Sequence, residues 1–86
     1  MKHNNSMKQE NENRIRQIGL NIAFYRRMKR ISQDELSARA GITRQWLAEI
    51  ESPAKVSMPS VDTLLCIADA LEIPPAKLFE FKEIET

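Results

Sequence analysis

The chain has little of what most enzymes and secreted proteins depend on. Its 86 residues include one cysteine, Cys66, and one histidine, His3. A single cysteine cannot form an internal disulfide, and a lone thiol fits a reducing compartment, so we expect a cytoplasmic protein. One histidine in a polar terminal segment supplies neither a catalytic triad nor a metal cluster, and the sequence has no glycine-rich phosphate loop. We therefore expect no enzymatic activity, no metal and no cofactor.

Long apolar segments are also missing. No run of about 18 apolar residues occurs, and the first residues, MKHNNSMKQENEN, are polar, which argues against a membrane span and a secretion signal. A chain of this length forms one small domain, without room for a separate sensor. We expect a mobile tail over residues 1–12, a folded domain over residues 13–80 and a short acidic tail over residues 81–86.

Charge is unevenly distributed although the net charge is only +1. Residues 1–47 contain ten basic and four acidic side chains, a net +6, whereas residues 48–86 contain three basic and eight acidic side chains, a net −5. Such polarity suits a protein that presents its basic half to a polyanion, although ordinary solvated faces would look the same.

Residues 33–51 begin with a clear helix signal. Ser32 can cap a helix whose third residue is Glu35, the Ser-x-x-Glu pattern of a capping box. Leu36 and Ala40 stand one turn apart and share a face, so this helix is predicted to bury one side.

A glycine separates that helix from a second one. Gly41 can adopt a positive φ without steric cost, so it can end the first helix and turn the chain. Thr43 can then cap a helix over Arg44–Glu51, whose buried face is centred on Leu47 and includes Ile50. Two short helices joined in this way predict a helix-turn-helix.

The remaining helices are placed by periodicity and proline. An amphipathic helix is predicted from Asn13 to about Lys29, despite Gly19. Residues 52–59 are a loop with two prolines, and Ser60 caps a fourth helix. Its predicted buried face consists of Val61, Leu64, Ile67, Ala68 and Leu71. A short fifth helix follows Pro74 and Pro75 and ends near Leu78 and Phe79.

The segments ISQDEL, AGIT, LAEIE and PSVDTLLCIADALEI, in this order, resemble the Cro/C1-type helix-turn-helix family. The resemblance covers roughly residues 15–80. It implies an all-α fold, a compact five-helix bundle of the lambda-repressor-like type with the helix-turn-helix at helices 2 and 3. It also implies binding to double-stranded DNA, usually as a dimer, with the third helix in the major groove.

The outward face of the third helix supplies the candidate base contacts. Gln45 points away from the core and can pair with adenine through both groups of its amide, and Arg44 can bind guanine or a phosphate. By resemblance, both occupy base-contacting positions of the family, as does Glu49, which can accept only from cytosine and otherwise repels phosphate. Trp46 has two interpretations, an apolar DNA contact or burial between helices 2 and 3.

Other residues are candidates for positioning. Gln33 falls on the family's phosphate-contacting position at the start of helix 2, and Thr43 is a further phosphate candidate. Lys55 and Ser57 are phosphate candidates in the loop, where Pro53 replaces the glycine usual in the family. The resemblance also implies an ion pair between Arg26 and Glu51, tying the first helix to the third.

These features predict a sequence-specific transcriptional regulator, expected to be a repressor, that binds an inverted repeat as a homodimer. The alternative is an antitoxin-like or adaptor protein whose main ligand is another protein. Apolar residues in excess of what a small bundle should expose predict self-association through helix 5 and the C-terminus, or a partner surface: Ile73, Leu78, Phe79, Phe81 and Ile84.

Overall fold

Four α-helices and one 3-10 helix make up the part of the chain that the computed structural model describes, residues 2–81, with side chains from residue 7 onward. Within that range there is no strand, so the predicted all-α fold is confirmed. The fifth element is a five-residue 3-10 helix rather than an α-helix. It begins at Pro75 and is only one to two turns long, a length at which 3-10 geometry is common. In chain order the elements are α1 (Lys2–Met28), α2 (Gln33–Ala40), α3 (Arg44–Glu51), α4 (Val61–Leu71) and the 3-10 helix (Pro75–Phe79).

The first helix is longer than its apolar pattern predicts. It spans Lys2–Met28, 27 residues, and so starts well before Asn13. Its first turns are rich in Asn, Lys, Gln and Glu, a polar composition without the apolar periodicity that would mark a helix. Arg14 donates to the Asn11 side chain at 3.0 Å along the helix surface. The mobility predicted for residues 1–12 stays a prediction.

The helix-turn-helix forms through the predicted caps. The hydroxyl of Ser32 accepts a hydrogen bond from the backbone N–H of Glu35 at 3.0 Å. Gly41 has a φ of 76°, and a Cβ at this position would meet no atom within 4 Å, so glycine is favoured here by its backbone conformation alone. These features set the angle at which α3 leaves α2.

The core is aliphatic and lies between all five elements. α1, α2 and α3 each turn the predicted face inward, with Ile22, Leu36 and Leu47 fully buried. The buried hydrophobic residues are Ile18, Ile22, Ala23, Leu36, Ala40, Leu47, Ile50, Leu64, Ile67, Ala68, Leu71 and Leu78.

Two predictions about apolar residues are wrong. Val61 is 68% exposed, because it is the first residue of α4 and lies beyond the core that the next turns contact. Leu78 was expected at the surface but is completely buried. The reason is the docking of the 3-10 helix onto α1, where the side-chain amide of Asn21 donates to the carbonyl oxygens of Leu78 and Glu80 at 3.0 and 2.9 Å. Ile84, grouped with these residues in the sequence, lies outside the described part of the chain.

Gly19 lies where α1 crosses the end of α3. A Cβ at Gly19 would overlap the backbone carbonyl oxygen of Ile50 and lie 3.1 Å from its carbonyl carbon. The glycine that weakens α1 as an isolated helix is therefore what allows the two backbones to approach.

An ion pair joins the same two helices. Arg26 Nε and Nη2 donate to Glu51 Oε2 and Oε1 at 2.8 and 2.9 Å, with side chains only 12% and 4% exposed. Arg26 Nη1 donates in addition to the carbonyl oxygen of Ile31 at 3.0 Å. The hydrogen bonds that Arg26 donates to the Glu51 carboxylate raise the pKa of Arg26 despite its burial, so the guanidinium stays charged. This pair fixes the C-terminal end of α3 against α1.

None of the helices in residues 2–81 combines the length and apolar character needed to cross a lipid bilayer.

The crossing at Gly19 predicts an unusual mutational effect. By helix propensity alone, Gly19→Ala should stabilise the protein by about 1 kcal/mol. We expect it instead to lower the free energy of unfolding by roughly 1 to 3 kcal/mol, since the methyl group forces α1 and α3 apart. Urea denaturation followed by circular dichroism distinguishes the two signs, and an increased midpoint would contradict the packing explanation.

The buried ion pair generates a second prediction. Glu51→Ala leaves a buried guanidinium without its partner and should cost about 3 to 5 kcal/mol of unfolding free energy. The matched control is Glu35→Ala, which removes the exposed pair between Glu35 and Arg39 and should cost less than about 1 kcal/mol. Equal losses in thermal or urea unfolding would show that burial of the Arg26–Glu51 pair is unimportant.

Candidate nucleic-acid interface

The face of α3 that points away from the core carries the predicted base-contacting residues. Arg44 and Gln45 are exposed at the start of the helix, whereas Leu47 and Ile50 are buried on the opposite side. Eight residues give a helix of about 12 Å, comparable to the width of the major groove. Burial of one side thus fixes which side chains a groove would meet. Glu49 is half-buried at the edge of this face.

Arg44 is paired across the turn in the free protein. Its Nε lies 3.3 Å from Oδ1 of Asp34 on α2, and the two side chains are 65% and 75% exposed. An ion pair this exposed contributes little stability, so Arg44 can exchange it for a base or a phosphate at small cost.

Gln33 is held by the buried ion pair. Its Nε2 donates to Glu51 Oε1 at 2.9 Å, and the side chain is half-buried at the first position of α2. The predicted phosphate contact therefore has a structural partner that the sequence did not indicate. An amide nitrogen has two N–H groups, so one is available for a phosphate oxygen while the other binds Glu51.

Thr43 and Trp46 lie at the base of α3. The Thr43 hydroxyl accepts from the backbone N–H of Trp46 at 3.0 Å, and this bond caps the helix. The side chain of Trp46 is half-buried and packs against the core, so both of its interpretations stay predictions. Its exposed part still lies on the flank of α3.

The loop after α3 is shaped by Ser52 and Pro53. The N–H of Lys55 donates to the carbonyl oxygen of Ser52 at 3.2 Å, so Pro53 occupies the second position of a β-turn, where its fixed φ is favoured. Ser52 also accepts from the Ala54 N–H through its hydroxyl at 3.3 Å. The turn leaves Lys55 exposed, while Ser57 is half-buried.

The structure brings the start of α2 against both ends of α3. Asp34 contacts Arg44 at one end, and Gln33 contacts Glu51 at the other. The pairing of Asp34 with Arg44 was not predicted from the sequence. The pairing depends on the crossing of α2 and α3, and no local pattern indicates it.

Comparisons with known proteins agree with this geometry. The helix-turn-helix domain family matches residues 19–83. An uncharacterized HTH-type transcriptional regulator, y4dJ, from Sinorhizobium fredii is 36% identical over 61 residues, 71% of this chain and 77% of the relative. The crystal structure of the restriction-modification controller protein C.AhdI from Aeromonas hydrophila is similar with a TM-score of 0.69 and 28% identity, covering 76% of this chain and 96% of C.AhdI. The chain belongs to the Cro/C1-type family of helix-turn-helix, DNA-binding transcriptional regulators.

Proposed function

We propose that the protein is a sequence-specific repressor that inserts α3 into the major groove of double-stranded DNA. The observation that carries this proposal is that Arg44 and Gln45 are adjacent and exposed at the start of α3, whose opposite face is buried. A glutamine amide recognises adenine and an arginine recognises guanine, each through two hydrogen bonds. Glu49 disfavours DNA sequences that place no hydrogen-bond donor near its carboxylate.

Phosphate contacts orient α3 in this proposal. Gln33 and Thr43 lie at the starts of α2 and α3, where unpaired backbone N–H groups also favour an anion. Lys55 is exposed on the loop and supplies a mobile positive charge, with Ser57 beside it. Trp46 supports the base of α3 and can touch a sugar or a thymine methyl group with its exposed edge.

The protein acts as a homodimer on an inverted repeat in this proposal, with half-sites about one helical turn apart. Support comes from exposed aromatic side chains at the end of the described chain, Phe79 and Phe81, which are 45% and 37% exposed. Phe81 lines a groove of about 280 Å³ together with Phe24 and Tyr25 of α1. Covering these rings against a second copy would remove apolar surface from water.

The base-contacting role of Gln45 is tested by comparing two DNA targets. We expect Gln45→Ala to lose about 1 to 3 kcal/mol of binding free energy on a duplex selected in vitro by the wild-type protein, and little on mixed-sequence DNA. The matched control is Gln9→Ala, which removes an exposed side-chain amide of the same kind from α1. Gln9 lies about 15 Å along α1 from Gly19, the point where α1 crosses α3. Equal losses on both targets would refute base contact by Gln45.

The dimer surface is tested by sedimentation. Phe81→Asp places a charge among the exposed rings and should convert a dimer to a monomer, which removes the preference for an inverted repeat over a single half-site. Val61→Asp, at an exposed valine on α4 that does not line this groove, should leave the dimer intact. Dissociation by Val61→Asp and not by Phe81→Asp would move the interface to α4. A wild-type protein without DNA affinity in dilute salt would favour the protein-binding alternative.

A further inference from the structure

The turn between α1 and α2 carries a cluster of basic side chains that take no part in the ion pairs of the described residues. Arg27, Lys29 and Arg30 are all exposed, within four successive positions. Among the side chains that the structure describes, no carboxylate pairs with any of the three. We name this group the basic turn.

The acidic residues that follow the basic turn are already paired. Asp34 pairs with Arg44, and Glu35 pairs with Arg39, each within the helix-turn-helix. The neighbouring Arg26 is occupied by Glu51. The positive charge of the basic turn is therefore not compensated locally, and it is available to an external anion.

Arg30 has a backbone conformation that its side chain does not favour. Its φ is 60°, in the left-handed region, at the position after a helix where glycine is usual. The turn is a Schellman motif, in which Arg30 N–H donates to the Arg27 carbonyl at 3.0 Å and Ile31 N–H donates to the Arg26 carbonyl at 3.2 Å. Glycine would adopt this conformation at lower cost, so a role for the arginine side chain has to lie outside the turn itself.

The position of Arg30 indicates that role. Arg30 precedes Gln33, the first residue of α2, by three residues, so their Cα atoms are at most about 11 Å apart. The hydrogen bond from Arg26 to the carbonyl oxygen of Ile31 fixes the connection between the turn and α2. The exposed guanidinium of Arg30 therefore lies within reach of a phosphate next to the one assigned to Gln33 in the proposed function.

We propose that the basic turn is a second phosphate-binding site, in which Arg30, assisted by Arg27 and Lys29, grips the DNA backbone beside the helix-turn-helix. The site rests on the proposed DNA-binding function and adds affinity without sequence preference, since phosphates carry no base information. Its contribution is dependent on salt, because each neutralised phosphate releases counterions.

Arg30→Gly separates phosphate binding from a structural role of the side chain. If Arg30 binds phosphate, the variant loses DNA affinity while the protein becomes more stable. If Arg30 stabilises the turn, the variant becomes less stable. Glycine relieves the left-handed strain, so the melting temperature should rise by about 4 °C. Binding to a mixed-sequence duplex and to the selected duplex should both weaken, by about tenfold at 0.1 M salt, and the slope of log K against log salt should fall by about 1. Arg30→Lys keeps the charge and should retain the wild-type slope.

Glu72→Gly provides the matched control. Glu72 ends α4 in the same motif with a φ of 59°, so its replacement should raise the melting temperature similarly while leaving DNA binding unchanged. Wild-type affinity and slope for Arg30→Gly, or an equal loss for Glu72→Gly, would overturn the second site while leaving the proposed function standing. Absence of salt-dependent binding by the wild-type protein would overturn both.

Discussion

The orientation of the DNA-binding elements depends on the buried contact between Arg26 and Glu51. This contact ties α1 to the end of α3, and Gln33 extends it to the start of α2 through the same carboxylate. Removing two charges from water is costly, and the cost is offset by three hydrogen bonds that Arg26 and Gln33 donate to the carboxylate. An apolar substitute could supply similar stability, but it could not hold three helices in a single register through directed hydrogen bonds.

Local chemistry predicted most of this fold. Caps and apolar periodicity are properties of neighbouring residues, so α2, α3 and α4 were predicted with correct starts from Ser32, Thr43 and Ser60. What was not predicted depends on tertiary contact or has no apolar signature. Gly19 counted only as a weak helix former because its closeness to Ile50 exists only after folding. The start of α1 was not predicted because its polar sequence has no apolar periodicity, and residues 7–11 are exposed.

The same distinction applies to the candidate site. The exposed position of Arg44 and Gln45 followed from the period of α3, since the buried side of a helix defines the other side. Their partners did not follow from it. The pairing of Asp34 with Arg44 arises where α2 and α3 cross, so the spacing of residues within one helix does not predict it. The left-handed backbone of Arg30 was not predicted because the position after α1 carries arginine where glycine would mark such a turn.

The hydrogen bond from Gln33 to Glu51 reduces the side-chain conformational entropy that Gln33 would lose on binding a ligand. A carboxylate accepts only from the nitrogen of the amide, so the bond sets both the rotamer of Gln33 and the direction of its remaining N–H. A free glutamine would lose about 0.5 to 1.5 kcal/mol on being immobilised at an interface. Gln33 has already lost that freedom during folding, so the domain is preorganised at this point before any ligand arrives.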